Sequence, residues 1–339
     1  MMNEKGIHDF MGEGEFCWFH GIVEDINDPL ESGRVRVRCF GIHSPSKELI
    51  PTEHLPWALV MMPATSASVS GIGSSPHGFV QGTQVVGFFR DGMKGQHPII
   101  MGSIAGIPQN APDSSRGFND PDGEYPRESR INSPDTNQLC GSSHGESAFR
   151  IQRTENLITD VTTASGEKWS EPDSEASPKY PKNKVIETEA GHFIEMDDSE
   201  GSKRIHIRHS SGSYYEILND GSVVSRTKGN ETRIIDSNGN MLISGSMNVN
   251  VNNTGNVKVQ DNVTVSVVEG NVTINIEKGN VNLSVEGNVD AKITGNMSSK
   301  VSGDINMNAD GKCDINSEGD MSLTSGGKVT VRGTQIRLN

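Results

Sequence analysis

Aromatic residues are only 5% and hydrophobic residues only 32% of this 339-residue chain, which is too little for one large compact core. Elongated or oligomeric structure is expected instead. Long apolar runs are missing as well: Val, Ile and Met stand singly between polar neighbours, far from the ~18 consecutive apolar residues that cross a membrane as a helix. The segment Met1 to Gly14 lacks the basic-then-apolar layout of a secretory signal, so synthesis is expected to end in the cytoplasm. Cysteine is scarce. Cys17, Cys39, Cys140 and Cys313 are scattered with no C-x-x-C spacing, which argues for free thiols and against a disulfide framework or a zinc site. Positive charge is in deficit too, and a net charge of −14 excludes a chain whose main task is gripping phosphates, so no nucleic acid is expected as a partner. Finally, proline is absent after Pro181 and aromatic residues are absent after Tyr215.

What is present changes along the chain. Up to about Pro108, apolar and polar residues alternate in short segments, Phe19 to Val23, Arg34 to Arg38, Trp57 to Met62, Thr83 to Arg90 and Pro98 to Ile104. About five strands fit, and a small closed barrel is expected because closure removes exposed edges. Between Gln109 and Lys184 the composition turns to Asp, Asn, Ser, Pro and Gly and reads as linker, with Glu146 to Asp160 open to either a short helix or a strand.

The strongest signal is an internal repeat. Gly279, Gly287, Gly295, Gly303, Gly311, Gly319 and Gly327 recur every eight residues, with apolar residues at alternate positions between them. Each octad predicts one strand and one corner, the glycine permitting a positive φ or a tight bend. Candidate core residues of the repeat are Val281, Leu283, Val285, Val289, Ile293, Ile305, Met307, Ile315, Met321, Leu323, Val329 and Val331. Three octads make one turn of a prism, from one chain or from three. Seven octads give a single chain only about two turns, fewer than the roughly three repeats a solenoid needs, which favours three intertwined chains. Proline would delete a ladder donor and aromatic rings would overfill a narrow prism, so their absence fits. Upstream, Gly255-Asn256-Val257, Asp261-Asn262-Val263 and Gly270-Asn271-Val272 continue the pattern in steps of six and nine, read as wider or bulged turns.

The octads resemble the triple-stranded β-helix of the baseplate central spike of T-even-type contractile-tailed phages and of the related VgrG spikes of type VI secretion. Trp18-Phe19-His20-Gly21-Ile22-Val23-Glu24-Asp25, Asp28-Pro29-Leu30, Pro51 to Trp57 and Ser70-Gly71-Ile72-Gly73 resemble that spike's N-terminal part, an OB-fold barrel. Gly117 to Pro121 and Tyr125-Pro126-Arg127 resemble the segment after it. Glu189 to His192, Asp197-Asp198, Arg204 to Ile207 and Asp220-Gly221-Ser222 resemble its short antiparallel stretch. The resemblance implies an all-β chain: an OB-fold barrel over residues 1–110, a mostly irregular linker over 111–184, an antiparallel β region over 185–238 and an intertwined β-helix over 239–339. It further implies a homotrimer in a virion tail baseplate, a hub ring protein on the barrel collar, a PAAR-like tip protein at the far end, and mechanical piercing of a target envelope. The T-even-type spike carries a lysozyme domain between barrel and needle; here Asn132 to Asn183 is about a third of the length such a domain needs, so no enzyme is expected.

Candidate chemistry is sparse. Glu146, Glu155 and Asp160 are the carboxylates near a partly apolar stretch, and nothing around them predicts the paired-carboxylate cleft of a glycosidase. His206 and His209, three apart in an expected strand, are read as surface residues that share no metal. Ser70 to Ser74 lacks the lysine and helix of a phosphate loop. Arg34, Arg36 and Arg38, near Phe19 and Phe40, allow single-stranded nucleic acid to stack there, or pairing with Glu24, Asp25 and Asp28 across the hairpin. No catalytic residue, cofactor or metal is expected.

Overall fold

The computed structural model describes residues 16–106, 117, 135–140, 156–174 and 176–337. These contain twelve strands and a few single-turn 3-10 segments but no α-helix. Residues 1–256 and 257–339 form separate compact units.

The first five strands are the five expected segments: β1 (Cys17–Asp25), β2 (Val35–Cys39), β3 (Trp57–Val60), β4 (Gln84–Phe89) and β5 (Pro98–Ser103). They close into a barrel in the order β1-β2-β3-β5-β4. β3 and β5 run parallel and the other neighbours antiparallel. Alternation aims Phe19, Val23, Val35, Val37, Val85, Phe89 and Ile100 inward, where they pack as one core. Register shifts at Val23/Asp25 and at Val86/Gly87 add the local twist that closure requires.

A small hairpin, β6 (Val161–Thr162) with β7 (Lys168–Trp169), lies in the region read as linker, just past the Glu146 to Asp160 stretch read as helix or strand; Glu146 and Glu155 fall outside the described residues. Beyond it β8 (Asn183–Glu187), β9 (Phe193–Asp197), β10 (Arg204–Arg208), β11 (Tyr214–Ile217) and β12 (Val223–Arg226) form an up-and-down antiparallel sheet. All four connections carry a left-handed glycine, Gly191, Gly201, Gly212 and Gly221, and three share one hydrogen-bond pattern, as in Gly191 N–H to Thr188 O. The pleat sorts this sheet unusually. Glu195, Asp197, Arg204, His206 and Glu216 share the buried face with Phe193 and Tyr214. The other face carries two apolar rows in register, Ile186–Ile194–Ile207–Tyr215 and Met196–Ile205–Ile217–Val223, and it is largely exposed.

From Thr227 to Arg337 the described residues pair in no strand. The backbone bends sharply at Ser237, Gly245, Asn253 and Asp261, then at Gly270 and Gly279, then every eight residues from Gly287 to Gly327. The upstream expectation is corrected here. Gly255 is no corner, the eight-residue step reaches back to Ser237, and the only irregular steps are the two nine-residue ones ending at Gly270 and Gly279. These two glycines alone in the repeat have left-handed φ, +113° and +130°. The extra residue is absorbed by a backbone conformation open to glycine, while an ordinary octad corner needs none and accepts Ser, Asn or Asp.

Of the two roles the glycine permits, a positive φ is taken only at Gly279 among the seven; at the other six the chain bends without it. Gly279→Val is expected to cost about 1 to 3 kcal/mol per chain through backbone strain. At Gly303, where φ is not left-handed and an added Cβ meets nothing within 4 Å of its own chain, valine brings no such strain. Thermal melting of the two variants checks this; equal losses would refute the assignment.

Candidate functional site

On the outside of the barrel the three arginines of the β1–β2 hairpin each meet a different carboxylate. Arg34 Nη2 is 2.6 Å from Asp28, Arg36 Nε is 3.6 Å from Asp25, and Arg38 Nε is 2.6 Å from Glu24. The Arg38–Glu24 pair is buried and bidentate, with the Thr52 hydroxyl donating to Glu24 and the Ser44 and Ile50 carbonyls accepting from Arg38. Arg36 donates to the carbonyls of Glu53 and Leu55 and lies 4.4 Å over the Trp57 ring. Above all the Arg34 guanidinium, helped by Ser32 and the Leu30 N–H against the opposing effect of burial, holds the Asp28 carboxyl far below the usual range. The pairing reading is the one realised. These guanidiniums brace the hairpin and are already committed, so they make a poor track for phosphates.

The densest set of ionisable groups lies on the buried face of the β8–β12 sheet. Arg204 sits between two carboxylates, 2.6 Å from Glu195 and 3.4 Å from Glu216. Ser174 bridges Arg204 and Glu216, at 3.1 and 3.0 Å. Asn183 donates to Glu195 at 2.6 Å and to the Leu139 carbonyl. His206 is fully buried, its Nδ1 3.6 Å from Glu195, with Phe193 and Tyr214 edge-to-face around it. The surface reading of His206 is thus overturned: its side of the pleat is the covered one. His209, as expected, is exposed, and its ring lies tilted against that of His192, with the ring centres 4.3 Å apart. The cover comes from the region read as linker, through Leu139, Ser174 and Glu171, which accepts from the Tyr214 hydroxyl and Arg226.

Burial alone would raise the Glu195 carboxyl, but hydrogen bonds from His206, Arg204 and Asn183 and the Arg204 charge outweigh it and bring it down to about 2. A general acid needs the opposite shift, so the cluster suits cohesion rather than glycoside hydrolysis. A carboxylate lowered on folding stabilises fully above its unfolded value, here near 4.5, and that contribution is lost as pH falls toward 2. Urea midpoints are expected to drop across that window by about 3 kcal/mol of stability. In Glu195→Gln this acid-dependent part should shrink; an unchanged slope would contradict the assignment.

The other candidates stay apart. Asp160 is exposed, and its carboxylate lies 3.5 Å from the Lys168 ammonium. Ser70 to Ser74 is a turn with left-handed Ser70, Gly71 and Gly73, closed by a bridge between Val69 and Ile72. Cys17, Cys39, Cys140 and Cys313 are free thiols, and burial pushes Cys39 up to about 12, well outside the reactive range. Among the described residues no group of three or more His, Cys, Asp or Glu is placed to hold a metal. The twelve candidate core residues from Val281 to Val331 are not brought together by one chain; each is between 46% and 79% exposed.

Missed from the sequence was the buried ionic cluster. Its signal is present only in pairing: Glu195, His206 and Glu216 stand directly opposite one another across β9, β10 and β11.

Three comparisons bear on this arrangement. The family model described as Gp5 N-terminal OB domain matches residues 41–184. Protein Gp5 of Vibrio phage KVP40 is 36% identical over 289 residues, covering 76% of this chain and 68% of that protein. The pre-baseplate central spike protein Gp5 of Enterobacteria phage T4 is 38% identical over 200 residues, covering 57% of this chain and 34% of that protein.

Proposed function

Because the chain belongs to the Gp5 family of baseplate spike proteins, we propose that three copies wind their octads into one β-helical needle that is driven through the target envelope. Its place is the tail baseplate of a contractile-tailed phage, and its role there is structural. The trimer, the hub ring protein on the barrel collar and the PAAR-like protein at the needle's far end are parts of our proposal.

One observation carries the trimer: every octad presents its apolar row to solvent on the single chain. A one-chain prism of three octads per turn would pair each segment with the one 24 residues later. No such ladder exists among the described residues from Thr227 to Arg337. Rows exposed by one chain are covered when three interleave, and the backbone donors then bond along the axis, leaving no lateral edge to peel. Mass-spectrometric counting on purified tails is expected to find three copies per baseplate; six or one would contradict the proposal.

The spike is also proposed to lack cell-wall hydrolase activity. Asn132 to Asn183 is too short for a lysozyme-sized domain, and of the three carboxylates singled out there, Glu146, Glu155 and Asp160, the one among the described residues, Asp160, is solvated. Purified full-length protein is expected to leave peptidoglycan turbidity at the level of a heat-killed control. Measurable clearing would overturn this.

A further inference from the structure

Among the many asparagines of this chain, Asn238 alone is followed by glycine. Through the repeat the next residue is mostly Val, Leu, Ile or Met, as in Asn248-Val249, Asn282-Leu283 and Asn296-Met297. The exception sits at a junction. Asn238 lies just past the bend at Ser237, the first of the eight-residue corners, after the chain has left β12 and before it enters the regular octads. We propose that Asn238 is a site of spontaneous deamidation in the folded protein, giving a mixture of aspartate and isoaspartate at the entrance to the repeat. The inference stands on the single chain and does not rest on the trimeric reading.

The first support is the nucleophile. The backbone nitrogen of Gly239 closes a five-membered ring when it attacks the side-chain carbonyl carbon of Asn238. A side chain on the following residue crowds that approach, a β-branched one most of all, and glycine has none. The second support is freedom to reach the attacking geometry. Residues 237 to 239 are exposed, and among the described residues neither the Asn238 amide nor the Gly239 N–H has a hydrogen-bond partner. Other asparagines are held in place: Asn183 is buried and donates to Glu195 and Leu139, and the Asn250 amide donates to the Thr162 carbonyl.

The chemistry needs only water. A bond forms from the Gly239 nitrogen to the Asn238 side-chain carbon, the nitrogen gives its proton to solvent, and the side-chain amide leaves as ammonia. The resulting succinimide then takes up one water at either of its carbonyls. Opening at one leaves aspartate. Opening at the other carries the main chain through the former side chain and leaves isoaspartate, with an extra methylene in the backbone. Either product adds a negative charge beside Asp236, on a chain already at −14. Isoaspartate also lengthens the path at a corner, whereas the repeat absorbs added length only at the left-handed Gly270 and Gly279.

Peptide mapping of the full-length protein after prolonged incubation in mildly alkaline buffer tests this. Trypsin releases the segment from Ile234 to Lys258, which carries Asn238 together with six further asparagines and so contains its own control. Tandem mass spectrometry is expected to place a gain of one mass unit on Asn238 in most copies and to leave the other six unaltered. Isoaspartate is expected at the same position, read by its labelling with an isoaspartyl methyltransferase. A Gly239→Ala chain is expected to react several times more slowly. A Cβ at position 239 would come within 3.0 Å only of Ile235 Cδ1, the end of a flexible, exposed side chain, so this variant should fold. A parallel sample in urea gives the rate of the same site in an unfolded chain. Reaction at Asn238 in urea but not in the folded protein would show that the fold holds this corner closed and would overturn the proposal. A gain spread evenly over the peptide, no gain in either sample, or a Gly239→Ala chain reacting as fast as the unaltered one would overturn it as well.

Discussion

Leu283→Asp is expected to abolish the SDS-resistant trimer expected of the unaltered chain, while Ser284→Asp leaves it intact. The two positions are adjacent and, in an extended segment, face opposite sides. On the single chain Leu283 is 76% exposed, so neither substitution should perturb a monomer. In the proposed needle three copies of residue 283 meet at one level. Three carboxylates there would be desolvated and would repel one another, at a cost of several kcal/mol per ion. Unheated samples on SDS gels separate the outcomes. If Leu283→Asp migrates as the trimer, the inward row is misassigned; if the unaltered chain itself runs as monomer without heating, resistance is absent altogether.

Arg204→Met is expected to be the most damaging single change in the sheet. It leaves Glu195 and Glu216, both fully buried, without the cation between them. Breaking a buried ion pair by removing one partner costs about 3 to 5 kcal/mol, because the remaining charge stays desolvated. Replacing Arg204, Glu195 and Glu216 together by apolar residues of similar volume should recover much of that loss, since the pairs offset their own desolvation and contribute little net. Urea denaturation of the two variants decides. An Arg204→Met protein within about 1 kcal/mol of the unaltered chain would show that the cluster is hydrated and not cohesive.

The parts of the fold legible in the sequence were those set by local period. The barrel strands follow from alternation within a few residues, and their inward residues are the ones alternation indicates. The eight-residue spacing of the glycines was visible for the same reason. The sheet was harder. Parity correctly separates His206 from its neighbours, but which side is covered depends on Leu139, Glu171 and Ser174, some 30 to 70 residues away. A charged face sealed by a distant strap leaves no local trace, and the usual rule that charge faces water then points the wrong way. The corner glycines show the same limit. Their spacing is in the sequence, but the left-handed φ of Gly279 and its absence at Gly303 come from one extra residue in the step, a property of the path rather than of the glycine.

If the octads bury their apolar rows only when three copies wind together, sedimentation equilibrium of the full-length protein will show one species of three times 36.6 kDa, about 110 kDa, unchanged on dilution through the micromolar range. A folded species of 36.6 kDa under those conditions would contradict it.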